Sequence, residues 1–214
     1  MYCIVSLPRT ASTSAHELLF NSLMMIEPRV VINQYTSKFS AFNPRYTTPE
    51  GIEMTFATIM QQTPLPLIKI ISNHDFSMVD RILQSEYKTV FIEPSDLRKQ
   101  VLKVLVAKKT DTFVNKDARQ RYKATVVITK EEILQRFDYY VRHMTFKQQC
   151  DYQFTDTFII NNPNEVQQTL QLPVMKSKHE YTPFEISDED MLHDAHDFHS
   201  LYDTLSVEYF GEIK

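Results

Sequence analysis

Glycine is nearly absent from this chain of 214 residues: it occurs only at Gly51 and Gly211. Turns that need a positive φ must therefore use Asn, Asp or a strained residue. The phosphate loop of nucleotide triphosphatases, which needs two glycines and a Gly-Lys-Ser/Thr ending, is excluded. Cysteine is scarce as well. Cys3 and Cys150 lie far apart in sequence, make no disulfide framework and fit a reducing compartment. No stretch approaches the roughly 20 apolar residues of a membrane helix. The opening residues lack the basic segment, apolar run and small-residue cleavage site of a secretory leader. A cytosolic protein without a membrane partner is expected.

What is present is ordinary for a folded chain: 43% hydrophobic, 23% charged and 12% aromatic residues. The length suits one sizeable core, so a single domain over residues 1–214 is expected. Charge is uneven. From Lys88 to Lys147 there are 14 basic residues against seven acids, and from His179 onward Lys214 alone faces ten acids. Two solvated faces of opposite sign would explain this, and so would a basic rim that focuses its field on an anionic ligand. Nucleic acid is not expected, because no basic stripe interleaved with aromatics and no familiar reader motif occurs.

The hydrophobic pattern alternates buried strands with helices. Tyr2–Ser6 is an almost uninterrupted apolar run of the kind found in buried parallel sheets, followed by a helix from about Ser12 to Ile26. A short second strand falls at Val30–Ile32, and Asn43–Thr48 reads as a loop. Thr48 as N-cap, Pro49 and Glu50 open a helix to about Gln62. Leu67–Ile71 is the next strand, and Ser77 with Asp80 reads as a capping box for a helix to about Ser85. Thr89–Ile92 follows as a strand, and Pro94 and Ser95 begin a helix to about Thr110. Thr129 and Glu132 form a second capping box, for a helix to about Cys150. Phe158–Ile160 reads as a short strand, Asn162 and Pro163 launch a helix to about Leu172, and Ser187 with Asp190 caps an acidic helix to about Leu205. This rhythm implies a three-layer α/β fold: a short parallel sheet with the first strand near its centre and helices on both faces.

The chemistry concentrates at Ser6-Leu7-Pro8-Arg9-Thr10-Ala11-Ser12-Thr13, between the first strand and the first helix. A turn at such a junction directs backbone N–H groups and the positive end of the helix dipole at one spot, which suits phosphate or sulfate. Arg9 adds a bidentate cation, and the Ser12 and Thr13 hydroxyls can donate to terminal oxygens. A purely structural reading also stands, in which Ser12 or Thr13 caps the helix and Arg9 is a surface residue.

The segment resembles the loop of P-loop-fold sulfotransferases, which in many members reads Pro-Arg-Ser-Gly-Ser-Thr after a first strand and grips the 5′-phosphosulfate of the donor PAPS. Pro8, Arg9, Ser12 and Thr13 match that pattern, Thr10 is conservative, and Ala11 stands where glycine is usual. The resemblance extends over Cys3 to about Pro173. It implies that Pro8, Arg9, Thr10, Ala11, Ser12 and Thr13 bind the donor. In the family a later strand and helix carry an Arg and a Ser on the donor's 3′-phosphate. Here Ser95 sits where the Arg is expected and Lys103 near where the Ser is expected, with Arg98 and Lys99 as reserve cations. Leu67 to His74 resembles the family's central strand, which often carries a Lys followed by a His or Gln at its carboxyl end. That places His74 as the base for an acceptor hydroxyl, with Arg9 as the other catalytic residue and Asp75 as a substitute base. A Glu base that some relatives carry before Phe-Asn-Pro is missing ahead of Phe42-Asn43-Pro44.

The function implied by the resemblance is transfer of a sulfuryl group from PAPS to a hydroxyl of a carbohydrate or small molecule. A catalytically degenerate relative that binds a nucleotide or a protein is the alternative, and a nucleotide kinase is disfavoured by the missing lysine. A virus-encoded relative would fit the low glycine count. No metal is expected: His193, His196 and His199 alternate with Asp194, Asp197 and Asp203, but a solvated acidic helix explains them without a ligand.

Overall fold

The computed structural model describes residues 1–29, 32–35, 48–72, 76–109, 126–175 and 197–211, with residues 32–35 as backbone alone. Five strands, β1 (Tyr2–Ser6), β2 (Ile32–Tyr35), β3 (Leu67–Ile71), β4 (Lys88–Glu93) and β5 (Tyr152–Thr155), form one sheet. Their order is β2-β3-β1-β4-β5, and every pairing is parallel. β1 is therefore the middle strand, with Ser6 in register with Ile71 on one side and Ile92 on the other. The expected α/β class, with a parallel sheet and helices on both faces, is the fold the chain adopts.

The chain forms two compact units, one from Met1–Ser95 and Arg142–Tyr181, the other from Asp96–Val141 and Thr182–Lys214. The first holds the sheet. Adjacent residues of β1 point to opposite faces, as strand geometry requires. Tyr2 and Ile4 pack with Ala15, Leu18, Leu19 and Leu23 of α1 (Ser12–Ile26). Cys3 and Val5 pack on the other side, with Ile52 and Ile59 of α2 (Pro49–Met60) and Met78, Val79 and Ile82 of α3 (Phe76–Leu83). Burial of each large apolar side chain contributes about 1.5–3 kcal/mol, so the two faces together anchor β1 firmly. In the second unit α4 (Leu97–Lys109), α5 (Lys130–Met144, whose last turn belongs to the first unit) and α8 (Phe198–Gly211) share a core around Phe137, Tyr202 and Leu205.

Several element starts follow the sequence signals and others do not. The Thr48 hydroxyl accepts from the Gly51 amide, and Thr129 and Glu132 form the reciprocal capping box. The helix expected at Pro94 and Ser95 starts at Leu97, because the Asp96 carboxylate accepts from the Lys99 amide and takes the capping position. Ser77 is not a cap: α3 already begins at Phe76. The second strand lies at Ile32–Tyr35, and Val30 and Val31 are outside the described residues. Phe158–Ile160 is helical, within α6 (Asp156–Asn161), and the edge strand is the preceding Tyr152–Thr155. The Thr155 hydroxyl decides this by accepting from the Phe158 amide, which caps the helix and ends the strand. α7 (Pro163–Thr169) follows directly. Of the C-terminal segment, Ser187, Asp190, His193 and His196 lie outside the described residues. The final helix runs past Leu205 to Gly211.

The uneven charge is partly resolved inside the second unit. Arg98 pairs with Asp203, and Lys130 lies 3.8 Å from Glu208, so two acids of the tail neutralise two cations of the basic segment. Exposed pairs of this kind are worth only about 0–1 kcal/mol each, but they reduce any field offered to an anion.

Both cysteines are free and buried, and burial pushes the Cys3 thiol well up and the Cys150 thiol up to about 11. A thiolate is the reactive form, so neither should react in the folded protein. The expected outcome is near-zero labelling by a thiol reagent at pH 7.5 under native conditions, with both cysteines labelled in guanidinium. Rapid native labelling of either would contradict this core.

Candidate functional site

In an open parallel sheet, ligands bind beyond the carboxyl ends of the strands, where the strand order reverses. Here that point is the end of β1, since the chain lies between β3 on one side and β4 on the other. Leu7 to Ala11 leave the strand at this point and enter α1. The loop has two residues in the left-handed region, Arg9 (φ 63°) and Ala11 (φ 53°). Left-handed residues alternating with ordinary ones turn successive N–H groups toward one concavity, a geometry that suits an anion. Thr10 is fully buried between them, and its hydroxyl donates to the Leu7 carbonyl at 2.7 Å.

Ala11 occupies the N-cap of α1. It cannot cap with a side chain, and its carbonyl accepts the first helical bond from Ala15 at 3.0 Å. Among the described residues the first amides of the helix have neither an intrahelical partner nor a capping side chain, an arrangement that suits a ligand or water. Glycine is usual at this position in the loop that the segment resembles, and alanine stands here. A position that needs positive φ favours glycine, and an L-residue there costs about 1–2 kcal/mol.

A scan against models of known protein families finds no match, and neither does a comparison with curated proteins.

The other candidates are distributed as follows. Arg9 is half-buried and Ser12 is buried at the first helical position. Thr13 is exposed on the next. Ser95 is exposed, with its amide donating to Asp156 Oδ1 at 2.9 Å, and belongs to the first unit. Lys103 is half-buried on α4 and belongs to the second. His74 and Asp75 lie outside the described residues, as do Phe42, Asn43 and Pro44.

Two groups not assigned from sequence also stand near the carboxyl ends of the strands. Lys69, on β3, is only 4% exposed, and its ammonium donates to Thr13 Oγ1 at 3.3 Å. Burial lowers its pKa, and the exposed Glu17 carboxylate opposes this. His16, one helical turn from Ser12, is buried and its pKa falls to about 4, first through burial and then through the nearby Lys69 charge. A Lys inside the apolar run Leu67–Ile71 was the available signal, because in a strand covered on both faces a cation has no route to water.

The second group is His143, fully buried in the last turn of α5. Its Nε2 lies 3.0 Å from the Ile92 carbonyl and its Nδ1 lies 2.7 Å from Ser72 Oγ. A carbonyl only accepts, so Nε2 carries the proton and Nδ1 accepts from the serine hydroxyl. The Ser72 amide meets the Ser6 carbonyl at 2.9 Å. His143 also stacks on Phe91, with ring centroids 4.1 Å apart. The carboxyl ends of β1, β3 and β4 are thereby tied together immediately behind the loop. The Ser72 and His143 pair has the composition of a nucleophile and its base, but both are fully buried and cannot meet a substrate.

Two predictions follow from this geometry. Ala11→Gly should stabilise the fold by about 0.5–1 kcal/mol, strain relief exceeding the entropy that glycine adds to the unfolded chain, and Ala11→Val should destabilise it. Denaturant midpoints measure both, and a less stable glycine variant would refute the left-handed assignment. The second concerns pH. Burial holds His143 at about 4 in the fold against about 6.5 unfolded. Protons then favour the unfolded chain, so this contribution is intact above pH 6.5 and is lost as the pH falls toward 4. The loss should reach about 3 kcal/mol. His143→Gln should be less stable at pH 7.5 and flatter between pH 6.5 and 4.5; an equally steep profile would reject the assignment.

Proposed function

We propose that this chain binds PAPS over Pro8–Thr13 and transfers its sulfuryl group to an acceptor hydroxyl. The observation that carries the reading is the loop at the end of the central strand, with left-handed Arg9 and Ala11 and an uncapped helix start, in the segment that resembles the sulfotransferase loop. In the reaction the acceptor oxygen forms a bond to sulfur as the bond from sulfur to the phosphate oxygen breaks, releasing adenosine 3′,5′-bisphosphate. The loop amides and Ser12 hold terminal oxygens, and Arg9 offsets the charge that develops on the leaving phosphate. Positioning the two reactants in line supplies much of the acceleration. His74 takes the acceptor proton, a role that rests on its place in the sequence alone. The resemblance assigns the 3′-phosphate to Ser95 and Lys103, which belong to different units.

The second reading, a module that binds a nucleotide without catalysis, draws support from Ala11 in a position that favours glycine. The unmatched 3′-phosphate residues and the missing acid before Phe42 point the same way.

Calorimetry separates the two. Wild type should bind adenosine 3′,5′-bisphosphate more tightly than ATP, and Arg9→Ala should weaken it about 10–100-fold, the worth of charge-assisted hydrogen bonds. His74→Ala should keep the binding and lose sulfate transfer from PAPS. No binding of the bisphosphate to wild type would sink the donor assignment; binding without transfer to any hydroxyl acceptor would favour the module.

A further inference from the structure

Lys69 is the least comfortable residue of the described core. It is a cation on the second strand from one sheet edge, 4% exposed, with a single hydrogen bond, to Thr13 Oγ1 at 3.3 Å, and no carboxylate within ion-pair distance among the described residues. Removing an ammonium from water without a paired anion is costly, and such groups persist chiefly where something else compensates them. Leu67 of the same strand packs on the α1 face, so Lys69, two residues on, points to that face too. Ser6 shares this face with Ile4 and is fully buried, and its hydroxyl has no hydrogen-bond partner among the described residues. It immediately precedes the loop. A lone buried cation and an unsatisfied buried hydroxyl therefore flank the start of α1, whose own amides lack caps.

We propose that Lys69 is a positioning residue of the anion site: it holds the Thr13 hydroxyl so that its proton points at a terminal phospho- or sulfo-oxygen bound in the loop. An ammonium only donates, so Thr13 Oγ1 must accept from Lys69. The Thr13 proton is then directed away from Lys69, toward solvent and the open helix amides. The positive charge behind the hydroxyl strengthens it as a donor, and the bound anion supplies a close countercharge that no described residue gives Lys69. With Arg9 at the front of the loop, the site carries two cations, which suits a group of two or more negative charges.

The inference rests on an anion occupying the loop, not on the identity of the donor, so inorganic pyrophosphate is tested beside adenosine 3′,5′-bisphosphate. Lys69→Met removes a buried charge while keeping volume. Without ligand it should melt a few degrees above wild type, as expected when an uncompensated buried ion becomes a packed apolar side chain. Pyrophosphate binding should fall at least tenfold. Thr13→Val should weaken binding comparably, and the double variant should be no worse than the weaker-binding single one, because both remove one donor. A purely structural lysine would instead lower the melting temperature and leave affinity unchanged, and either result overturns the proposal. Should Lys69→Met fail to fold, unchanged affinity in Thr13→Val, an exposed site, overturns it as well. If Arg9→Ala weakens pyrophosphate and Lys69→Met does not, the anion site stands and the role of Lys69 falls. If pyrophosphate binds and the bisphosphate does not, the donor reading falls and Lys69 is judged on pyrophosphate. If wild type binds neither, both fall.

Discussion

Parallel pairing of β1 with β3 on one edge and β4 on the other is the constraint on which the rest depends. Because every strand runs the same way, all carboxyl ends meet at one border of the sheet, and each chain segment leaving it does so beside the others. The turn after Ser6, the hydroxyl of Ser72 and the carbonyl of Ile92 become neighbours although they are far apart in sequence. The same arrangement puts the start of α1 over β3, so that Lys69 reaches Thr13 across 56 positions of sequence. A change of register by one residue would turn Lys69 to the opposite face and dissolve this contact.

Several costs meet at this border. Arg9 and Ala11 are held in a region that L-residues avoid, Lys69 has no carboxylate within ion-pair distance among the described residues, and His143 is kept neutral by burial. The opposite border shows the contrast. There Asp151 Oδ2 accepts from both the amide and the hydroxyl of Thr89, and the Asp151 amide donates back to the Thr89 hydroxyl. Local rules that agree with one another across most of a fold and fail together at one place are the expected mark of a functional region.

What the sequence made legible was local. The buried run Tyr2–Ser6, the Thr48 cap and the Thr129–Glu132 box each depend on residues within a few positions of one another, and each appears in the structure. Phe158–Ile160 is helical where the pattern implies a strand, because three apolar residues fit a buried strand or one face of a short helix equally well and the deciding Thr155 hydroxyl lies outside the run. The site was legible at Pro8–Thr13 for the same local reason. The contribution of Ser72 and His143, joined across 71 positions, could not be read from spacing.

Lys69 lies between these cases. Its strand was recognised, and a strand flanked by parallel neighbours is buried on both faces, so a cation within it was already an anomaly before any contact was known. The resemblance includes a Lys in this strand but gives a chemical role only to the His that follows it. Physically the order of interest is the reverse. A histidine beyond a strand end can rest in water at little cost, whereas a buried ammonium must be compensated in every state the protein occupies. Lys69, whose charge is least satisfied among the described residues without an anion, is therefore the stronger sign of one at this border.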